Sequence, residues 1–467
     1  MKSKTLFPVF NRPFVVKGVR GKRFLLSLDD HCEYDIDDDQ ALILTLCDGK
    51  NTVKKIAQKS HVEIQSLQNF LRYLADIGAI RSYTSPSLIE TSGPLCVVEE
   101  TNPALYEVHY DITSQCNLRC PHCYQIDYLE KEADELSSSE MKDVIADLGR
   151  MNVARMAISG GEPFLRSDLH DIVMLTQEAG IAVHAIYTNG TVYDTPALEA
   201  ILNLNAPVIL AISLDGFSPE TNDFIRGDGS FARTIRFIET VRAHRLKGSK
   251  TVCMIDTMIH PRNVRHLRKM FEFLVDLGCV DRWRASLPRT QGNYLNHYDR
   301  LHIDPGLALA AYEDFIRWYL SKALHNRMEV QIESFFQTEM IRRQEATIFN
   351  KDSLCCEYKR NTLAIKPNGD VTPCTSYTDL VVDNVRAKPL SEIWQSKRMQ
   401  MIKCIPVSEV PECAECEWLY LCGGGCRKIA FSTTGSLYAK DSSICHIYRF
   451  FHERVMPLLS PFNIKFS

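Results

Sequence analysis

The spacing of apolar positions changes along the chain and divides it into regions. Residues 1–85 predict short strands followed by three helices, and in the third helix apolar residues recur every three or four positions over residues 64–74. Residues 86–104 are polar, contain proline and lack apolar periodicity, so they predict a linker. We therefore expect a small N-terminal domain of winged-helix-like α+β type, separate from the rest of the chain.

From residue 105 onward, apolar runs typical of buried strands alternate with helical stretches. This alternation predicts an α/β fold with parallel strands, outer helices and a functional site at the C-terminal strand ends. The candidate strands are residues 107–112, 155–159, 182–187, 208–213, 251–257 and 282–285. We assign residues 105–300 to this barrel, 301–350 to a helical bridge and 351–467 to a cysteine-rich domain.

Composition and charge exclude several classes of function. The net charge of the 467 residues is −4, and an acidic run at residues 35–39 gives the N-terminal domain no basic face, so we expect no nucleic-acid partner. Residues 1–10 lack the apolar core of a signal peptide, and no run of about 18 apolar residues occurs. We therefore expect a cytoplasmic protein without a membrane span.

Cysteine is abundant, with 17 residues, and in a reducing compartment clustered thiols are more typical of metal ligands than of disulfides. Outside the clusters, Cys404 has no predicted role. Five further cysteines are expected to be buried as small apolar side chains: Cys32, Cys47, Cys96, Cys253 and Cys279.

Three of the clustered cysteines, Cys116, Cys120 and Cys123, share one loop after the first barrel strand. Thiols this close cannot all pair as disulfides, but they can converge on one metal centre. Three thiolates leave a coordination position open, and their softness favours zinc or an iron–sulfur cluster. A zinc knuckle or simply buried thiols are the alternative interpretations.

The spacing C-x3-C-x2-C resembles the signature of the radical S-adenosylmethionine (radical SAM) superfamily, with His122 before and Tyr124 after the last cysteine. The resemblance implies a partial (β/α)6 TIM-type barrel. It also implies a 4Fe–4S cluster whose free iron binds S-adenosylmethionine. An external electron donor such as flavodoxin or ferredoxin is implied as a partner. Reductive cleavage of the bound cofactor yields a 5′-deoxyadenosyl radical, and the protein positions the cofactor and excludes competing reactions.

The resemblance also implies contacts with S-adenosylmethionine at the strand ends. The segment 160–163 matches a Gly-Gly-Glu-Pro motif that holds the methionine amino group, the segment from Ser213 resembles a ribose-binding segment, and Arg226 resembles an arginine that pairs with the methionine carboxylate. A plain turn at residues 188–190 and a solvated cation at Arg226 are the alternatives. The expected cofactor-binding residues are Tyr124, Gly160, Gly161, Glu162, Pro163, Thr188, Asn189, Ser213, Asp215 and Arg226.

The C-terminal cysteines resemble the SPASM domain pattern, which implies two auxiliary 4Fe–4S clusters and hence three clusters in all. A pair of zinc ribbons is the alternative. In this pattern one cluster takes Cys374, Cys426 and either Cys355 or Cys356. Because the two candidates are adjacent, this cluster has either three or four thiolate ligands. The other cluster takes Cys413, Cys416, Cys422 and Cys445.

The N-terminal domain is similar to the pyrroloquinoline quinone chaperone (PqqD-like) family, in which a leader peptide adds as a strand to a sheet edge. The edge is expected near residues 23–28, beside the helix at 64–74. Taken together, the resemblance implies a maturase that binds a precursor peptide, leader plus core, and closes a thioether, as sactipeptide and ranthipeptide synthases do. Alternatives are a carbon–carbon or carbon–oxygen link, an anaerobic sulfatase-maturing-type enzyme, and a zinc-containing DNA-binding regulator. The sulfatase-maturing family has an aspartate base after its second SPASM cysteine, where this chain has Thr375.

Overall fold

The computed structural model describes residues 6–11, 14–19, 22–84, 104–129, 134–193, 195–356 and 361–466. The predicted linker, apart from residue 104, lies outside the described residues, as does Cys96. The strands are β1 Phe7–Phe10, β2 Phe14–Val19, β3 Lys22–Ser27, β4 Glu33–Ile36, β5 Ile80–Tyr83, β6 Glu107–Asp111, β7 Arg155–Ser159, β8 Ala182–Thr188, β9 Ile209–Ser213, β10 Val252–Met258, β11 Arg282–Ser286, β12 Glu329–Ile332, β13 Phe336–Gln337, β14 Glu345–Ala346, β15 Thr362–Ile365, β16 Asp370–Thr372, β17 Asp383–Asn384 and β18 Lys465–Phe466.

Local sequence signals mark helix ends. Helix α1, for example, starts at a capping box in which the Asp37 side chain accepts a hydrogen bond from the N–H of Gln40. They are α1 Asp38–Leu46, α2 Val53–Ser60, α3 Ile64–Asp76, α4 Ser138–Arg150, α5 Leu169–Glu178, α6 Pro196–Leu202, α7 Pro219–Arg226, α8 Ser230–Arg245, α9 Leu267–Asp276, α10 Asn293–Asn296, α11 Tyr298–Leu301, α12 Pro305–Ser321, α13 Thr338–Arg343, α14 Leu390–Gln395, α15 Lys397–Lys403, α16 Pro411–Ala414, α17 Leu419–Cys422, α18 Arg427–Thr434, α19 Ser442–Phe450 and α20 Met456–Leu459.

The central sheet has 11 described strands in the order β13-β12-β11-β10-β9-β8-β7-β6-β15-β16-β17. All six strands predicted from the sequence are present and parallel to their neighbours. The parallel part extends beyond them, because β12 adds beside β11 and β15 adds beside β6. Residues 301–350, predicted to be a helical bridge, therefore also contain strands of the barrel sheet. Their short apolar runs gave too weak an alternation to distinguish a strand from a helix.

The two faces of this sheet differ in chemistry because successive side chains point to opposite sides. One face is apolar and packs on the helices, with Val108 and Tyr110 of β6 fully buried in the main core. The other face carries charged residues that lie side by side on neighbouring strands. Asp256 of β10 lies beside Arg284 of β11, and their side chains pair at 2.5 Å. The inside of the barrel is therefore polar.

The N-terminal domain contains a three-stranded antiparallel sheet in the order β2-β3-β4 and a separate pair of β1 with β5. Helices α1, α2 and α3 enclose its core. The predicted sheet edge at residues 23–28 is wrong, because β3 is the central strand and pairs on both sides over Arg23 to Leu26. Among the described strands, β2 and β4 are the two edges of this sheet. The sequence did not predict β4, a short and largely polar segment without the apolar alternation that marks a strand.

This domain contacts the barrel at the N-terminal ends of β6 and β7. Arg155 donates to the carboxylate of Glu33 at 2.7 Å, and the Tyr106 hydroxyl donates to the same carboxylate. Lys17 reaches further and donates to the carbonyl of Val153 at 2.9 Å. A small apolar cluster that includes Phe24 completes the contact.

Candidate functional site

The loop of Cys116, Cys120 and Cys123 follows β6, at the edge of the sheet where the parallel strands end. Burial raises the pKa of Cys120 to about 12 and that of Cys123 to about 11, and it also raises the pKa of Cys116. The thiol of Cys116 raises the pKa of the other two, while the guanidinium of Arg226 lowers both. The three thiols are thus close enough to act on one another electrostatically, and a cation lies nearby, as an anionic thiolate-bound centre requires.

Two glycines hold this loop by close backbone approach. The N–H of Gly161 donates to the carbonyl of Thr113 at 2.8 Å. A Cβ at Gly161 would lie 2.1 Å from the carbonyl oxygen of Gln115 and 3.1 Å from the Cβ of Cys116. Gly160 has φ +137, and a Cβ there would lie 2.5 Å from the Thr113 carbonyl oxygen. The Gly-Gly pair therefore sets the path of the chain into Cys116.

Glu162 connects the ends of β7 and β8. It is fully buried, and its carboxylate accepts from the Thr188 hydroxyl at 2.8 Å, the Asn189 N–H at 2.7 Å and the Phe164 N–H at 3.1 Å. Burial raises the pKa of Glu162 to about 7, although the hydrogen bonds from these three donors lower it. Pro163 is buried and starts a single 3-10 turn capped by this carboxylate. Glu162 thus orients the neighbouring strand end.

Asn189 continues this arrangement to the cysteine loop. Its amide donates to the side chain of Asn117 at 2.9 Å and lies 3.9 Å from the sulfur of Cys116. Its side-chain oxygen accepts from the hydroxyl and N–H of Thr191 at 2.6 and 2.8 Å. Residues 188–190 are therefore not a plain solvent-exposed turn, because the segment touches the first cysteine of the loop.

Asp215 and Arg226 form a buried ion pair on the other side of the loop. Nε of Arg226 donates to Asp215 at 2.6 Å, and the N–H of Met258 donates to the second carboxylate oxygen at 2.6 Å. Burial opposes the charge of Arg226, but Asp215 and then the Cys120 thiol outweigh it and raise the pKa of the guanidinium. A solvated cation at Arg226 is excluded. Ser213, at the end of β9, is half-buried near this pair.

A loop that the sequence did not single out lies over the cysteine loop. Asn293 donates from its N–H to the Cys123 carbonyl at 3.0 Å and from its amide to the Cys120 carbonyl at 3.1 Å. Gly292 has φ +58, and a Cβ there would lie 2.8 Å from the Cα of Tyr124. The Tyr124 ring faces the guanidinium of Arg289, with its centroid 5.7 Å from Cζ, so the loop after β11 contacts the cysteine loop directly.

A second missed element is a buried polar network around Lys366, which follows β15. Its ammonium donates to Asp111 at 2.9 Å and to Gln125 at 2.9 Å, and it lies 3.3 Å from the Thr375 carbonyl. Lys366 and Asp111 have exposed side-chain fractions of 0% and 1%. The network thus ties the end of β6 to the segment after Cys374, and no local pattern signals a pair 255 residues apart.

The C-terminal cysteines separate into two groups. Cys356 and Cys426 interact through a side-chain hydrogen bond that lowers the pKa of Cys356 and raises that of Cys426, and the Cys374 thiol acts on Cys356. Cys355 points elsewhere, into an apolar cluster that contains Val407 and Val410. Of the two adjacent candidates, Cys356 is therefore the one grouped with Cys374 and Cys426.

The second group consists of Cys413, Cys416, Cys422 and Cys445. Burial raises the pKa of Cys413 to about 11, and the thiols of Cys422, Cys445 and Cys416 raise it further. The pKa of Cys422 is raised to about 11 by burial and then by two members of the same group. These four residues, expected from the spacing to act together, thus come from two short helices, the turn between them and α19.

The three groups of thiols suit iron–sulfur clusters by the softness and number of their donors. Within the described part of the chain, no three Cys, His, Asp or Glu side chains are close enough to ligate a single metal ion. All 16 described cysteines are free thiols. Of those predicted to be buried, Cys47, Cys253 and Cys279 are buried, but Cys32 is exposed in the turn between β3 and β4, where no core covers it.

Comparisons with known proteins identify two domains in the chain. Residues 110–274 match the model of the radical SAM superfamily, and residues 355–417 match the SPASM iron–sulfur cluster-binding domain. The chain thus carries a radical SAM domain of α/β architecture and a C-terminal SPASM domain. No helix among the described residues combines the length and apolar character needed to span a membrane.

The similar proteins carry different names. The chain is 27% identical to the AdoMet-dependent heme synthase of Methanosarcina barkeri, over 73% of this chain and 96% of that protein. It is 28% identical to the mycofactocin maturase MftC of Mycolicibacterium smegmatis, over 69% of this chain and 78% of that protein. Its fold is similar to the crystal structure of Streptococcus suis SuiB bound to precursor peptide SuiA, with TM-score 0.64, 16% identity, and coverage of 94% of this chain and 99% of that chain.

Proposed function

We propose that this chain, which carries a radical SAM domain and a SPASM domain, is a maturase that cross-links a ribosomally made precursor peptide. The observation that carries the proposal is the combination of the three-thiol loop with a docked N-terminal domain whose β4 edge is open among the described strands. The similarity to SuiB spans 94% of the chain and so includes residues beyond the two matched domains. The preferred product is a thioether between a cysteine sulfur and a peptide carbon; a carbon–carbon or carbon–oxygen link is the alternative.

The proposal assigns the cofactor contacts to residues around the cysteine loop. Cys116, Cys120 and Cys123 hold one 4Fe–4S cluster, which together with S-adenosylmethionine supplies a 5′-deoxyadenosyl radical when both are bound. Arg226, buried and oriented by Asp215, presents a cation for the methionine carboxylate. The segment 160–163 and Asn189 shape the pocket on the side of β7 and β8. Electrons come from a flavodoxin or ferredoxin.

The two C-terminal groups hold the auxiliary 4Fe–4S clusters. The first group offers three thiolates, Cys356, Cys374 and Cys426, and the second offers four. A cluster with three thiolates keeps an open iron, whereas four thiolates close the coordination. In this arrangement the first cluster is able to bind a further ligand, and the second serves electron transfer alone.

The leader peptide docks on the N-terminal domain by adding a strand to β4. Main-chain pairing supplies the affinity, and side-chain pockets supply the specificity. Tyr34 of β4 contacts the ring of Tyr73 on α3 with centroids 6.5 Å apart, so the strand and the helix lie side by side. On α3, Ile64 and Tyr73 have exposed fractions of 47% and 44%, which leaves apolar surface for a peptide to cover.

Leader docking is tested by fluorescence anisotropy with a labelled precursor peptide. Tyr73→Asp is expected to weaken binding about tenfold or more, because it removes an aromatic anchor and places a charge on the surface beside β4. Leu42→Asp is the matched control, since Leu42 is a 43% exposed apolar residue on α1 of the same domain. Equal affinities for the two variants would remove β4 and α3 from the proposal.

The central experiment is anaerobic reconstitution with iron and sulfide, followed by reaction with candidate precursor peptides taken from any short reading frames near the gene. A cross-linked product loses two hydrogens, and a thioether also protects one cysteine from alkylation, which mass spectrometry detects. Replacing Cys116, Cys120 and Cys123 together by alanine is expected to abolish 5′-deoxyadenosine formation. Continued formation in that variant contradicts the assigned cluster.

A second candidate function is modification of a haem precursor. The identity to the haem synthase, which extends over 96% of that protein, favours it. The same reconstituted enzyme is therefore offered a haem precursor in parallel. Haem formation with no change in any peptide supports this candidate and contradicts the peptide proposal.

A further inference from the structure

Glu333 directly follows β12, at the same edge of the parallel sheet as the cysteine loop. Its N–H donates to the carbonyl of Ala285 at 2.9 Å, which continues the pairing with β11. Its backbone has φ +49, a left-handed conformation that costs energy in a residue with a β-carbon. Unlike Ala323 and Gln344, which also have positive φ, Glu333 does not adjoin the end of a helix.

The carboxyl group of Glu333 is held by one oxygen only. Oε1 accepts from the N–H of Leu287 at 2.7 Å and from the hydroxyl of Tyr312 at 2.8 Å. In the described part of the structure, Oε2 accepts no hydrogen bond, and the residue is half-buried. The arrangement fixes the orientation of the group and leaves one oxygen for another partner.

The surroundings connect Glu333 to the reaction centre. Arg289, in the loop after β11, is close enough for its charge to act on the Glu333 carboxylate, and its guanidinium lies over the ring of Tyr124, the residue after Cys123. The same guanidinium donates to the hydroxyl of Ser376, two residues beyond Cys374. Glu333 therefore shares a charged neighbour with both the cysteine loop and the first C-terminal thiol group.

The chemistry proposed above requires a proton acceptor. Closing a thioether removes a hydrogen atom from a peptide carbon and a proton from a cysteine thiol. The radical anion that results when the sulfur joins the carbon then gives up one electron. The hydrogen atom goes to the adenosyl radical and the electron to an auxiliary iron–sulfur centre, so the proton needs a base. A carbon–carbon link also releases one proton in addition to the hydrogen atom, and the need is the same.

We propose that Glu333 is this general base, with Oε2 as the atom that accepts the proton; the assignment rests on the proposed function. Burial raises the pKa of Glu333 to about 7, with the Leu287 N–H, the Tyr312 hydroxyl and Arg289 acting in the opposite direction. A base with a pKa near the working pH is efficient, since it is both substantially ionised and strong enough to take the proton. Tyr312 is a positioning residue that holds the other oxygen.

The test compares Glu333→Gln with Glu329→Gln, a carboxylate on the same strand that pairs with Arg282 and Arg342. Glutamine keeps an oxygen for the donors of Leu287 and Tyr312 but cannot accept the proton. The ratio of cross-linked peptide to 5′-deoxyadenosine is expected to fall about a hundredfold in Glu333→Gln and to change less than twofold in Glu329→Gln. Equal ratios in the wild type and Glu333→Gln overturn the assignment.

Two further measurements separate chemistry from folding. In the wild type this ratio should fall as the pH drops through about 7, and Tyr312→Phe should move the fall to higher pH, because it removes a donor to the carboxylate. Second, the melting temperature of the wild type relative to Glu333→Gln should decrease as the pH rises from about 5 to 8, because a raised pKa favours folding only while the group is protonated. An unshifted profile in Tyr312→Phe, or a flat difference in melting temperature, overturns the proposal.

Failure of the proposed function gives a different result. A wild-type enzyme that forms no 5′-deoxyadenosine after reconstitution contradicts the radical chemistry itself and with it the role of Glu333 in cross-linking. A wild type that cross-links the peptide while Glu333→Gln does so equally well contradicts only the assignment of the base.

Discussion

Replacing Gly161 by alanine is expected to displace the cysteine loop and to prevent normal assembly of the site. The added Cβ would lie 2.1 Å from the Gln115 carbonyl oxygen, whereas ordinary contact begins at 3.4 Å, so the two segments must separate by about 1.3 Å. The clash is with backbone, which cannot rotate away as a side chain does. Because Gln115 precedes Cys116, the shift passes directly to the first thiol.

A misplacement of about 1 Å at a reacting centre costs roughly a hundredfold in rate. The variant is therefore expected to form 5′-deoxyadenosine about a hundredfold more slowly, and overpacking should lower its free energy of unfolding by about 1–3 kcal/mol. Anaerobic reconstitution, iron analysis and chromatography of deoxyadenosine measure the first effect, and urea denaturation measures the second.

Gly306→Ala is the matched control. Gly306 lies in the first turn of α12, and the nearest atom to an added Cβ is a side-chain oxygen of Asp304 at 3.1 Å. Alanine favours the helical conformation, so this variant should match the wild type in turnover and should lose no stability. Wild-type iron content and turnover in Gly161→Ala would refute the view that backbone contact with this glycine positions Cys116.

Two other predictions concern buried groups. Asp215→Asn should lower the free energy of unfolding by about 3–5 kcal/mol, because it leaves the guanidinium of Arg226 without its buried partner, whereas Glu220→Gln on the exposed side of α7 should change it little. Urea denaturation measures both, and a difference below about 1 kcal/mol contradicts the importance of the pair. Cys356→Ala should lose the iron of about one cluster after reconstitution and Cys355→Ala should retain it. The reverse pattern would reassign the ligand.

Several parts of the fold could be predicted because their signals are local. The six central strands are short apolar runs between helical patterns, and all six occur in the sheet. By contrast, β4 and β12 escaped prediction since their residues are mostly polar or too few to show a period. The error had a consequence, because without β4 the central strand β3 was predicted to be an edge of the N-terminal sheet.

The site divides in the same way. Segment 160–163 and the residues at the ends of β8 and β9 could be chosen because each follows a predicted strand directly. The hydrogen-bond partners of these side chains could not be predicted from the sequence, however. Glu162 uses both carboxylate oxygens to hold the end of β8, and Asp215 is occupied by Arg226 and Met258. Such partnerships join residues far apart in sequence, and no local pattern encodes them.

The cysteine spacings were determined by the sequence itself, since three thiols within eight residues must share a loop wherever the chain goes. The tertiary structure decided which of two adjacent cysteines, Cys355 or Cys356, faces Cys374 and Cys426. It also brought Lys366 to Asp111 and Glu333 to Arg289. Those contacts depend on strand register and on packing between domains, and therefore on the whole chain rather than on any segment of it.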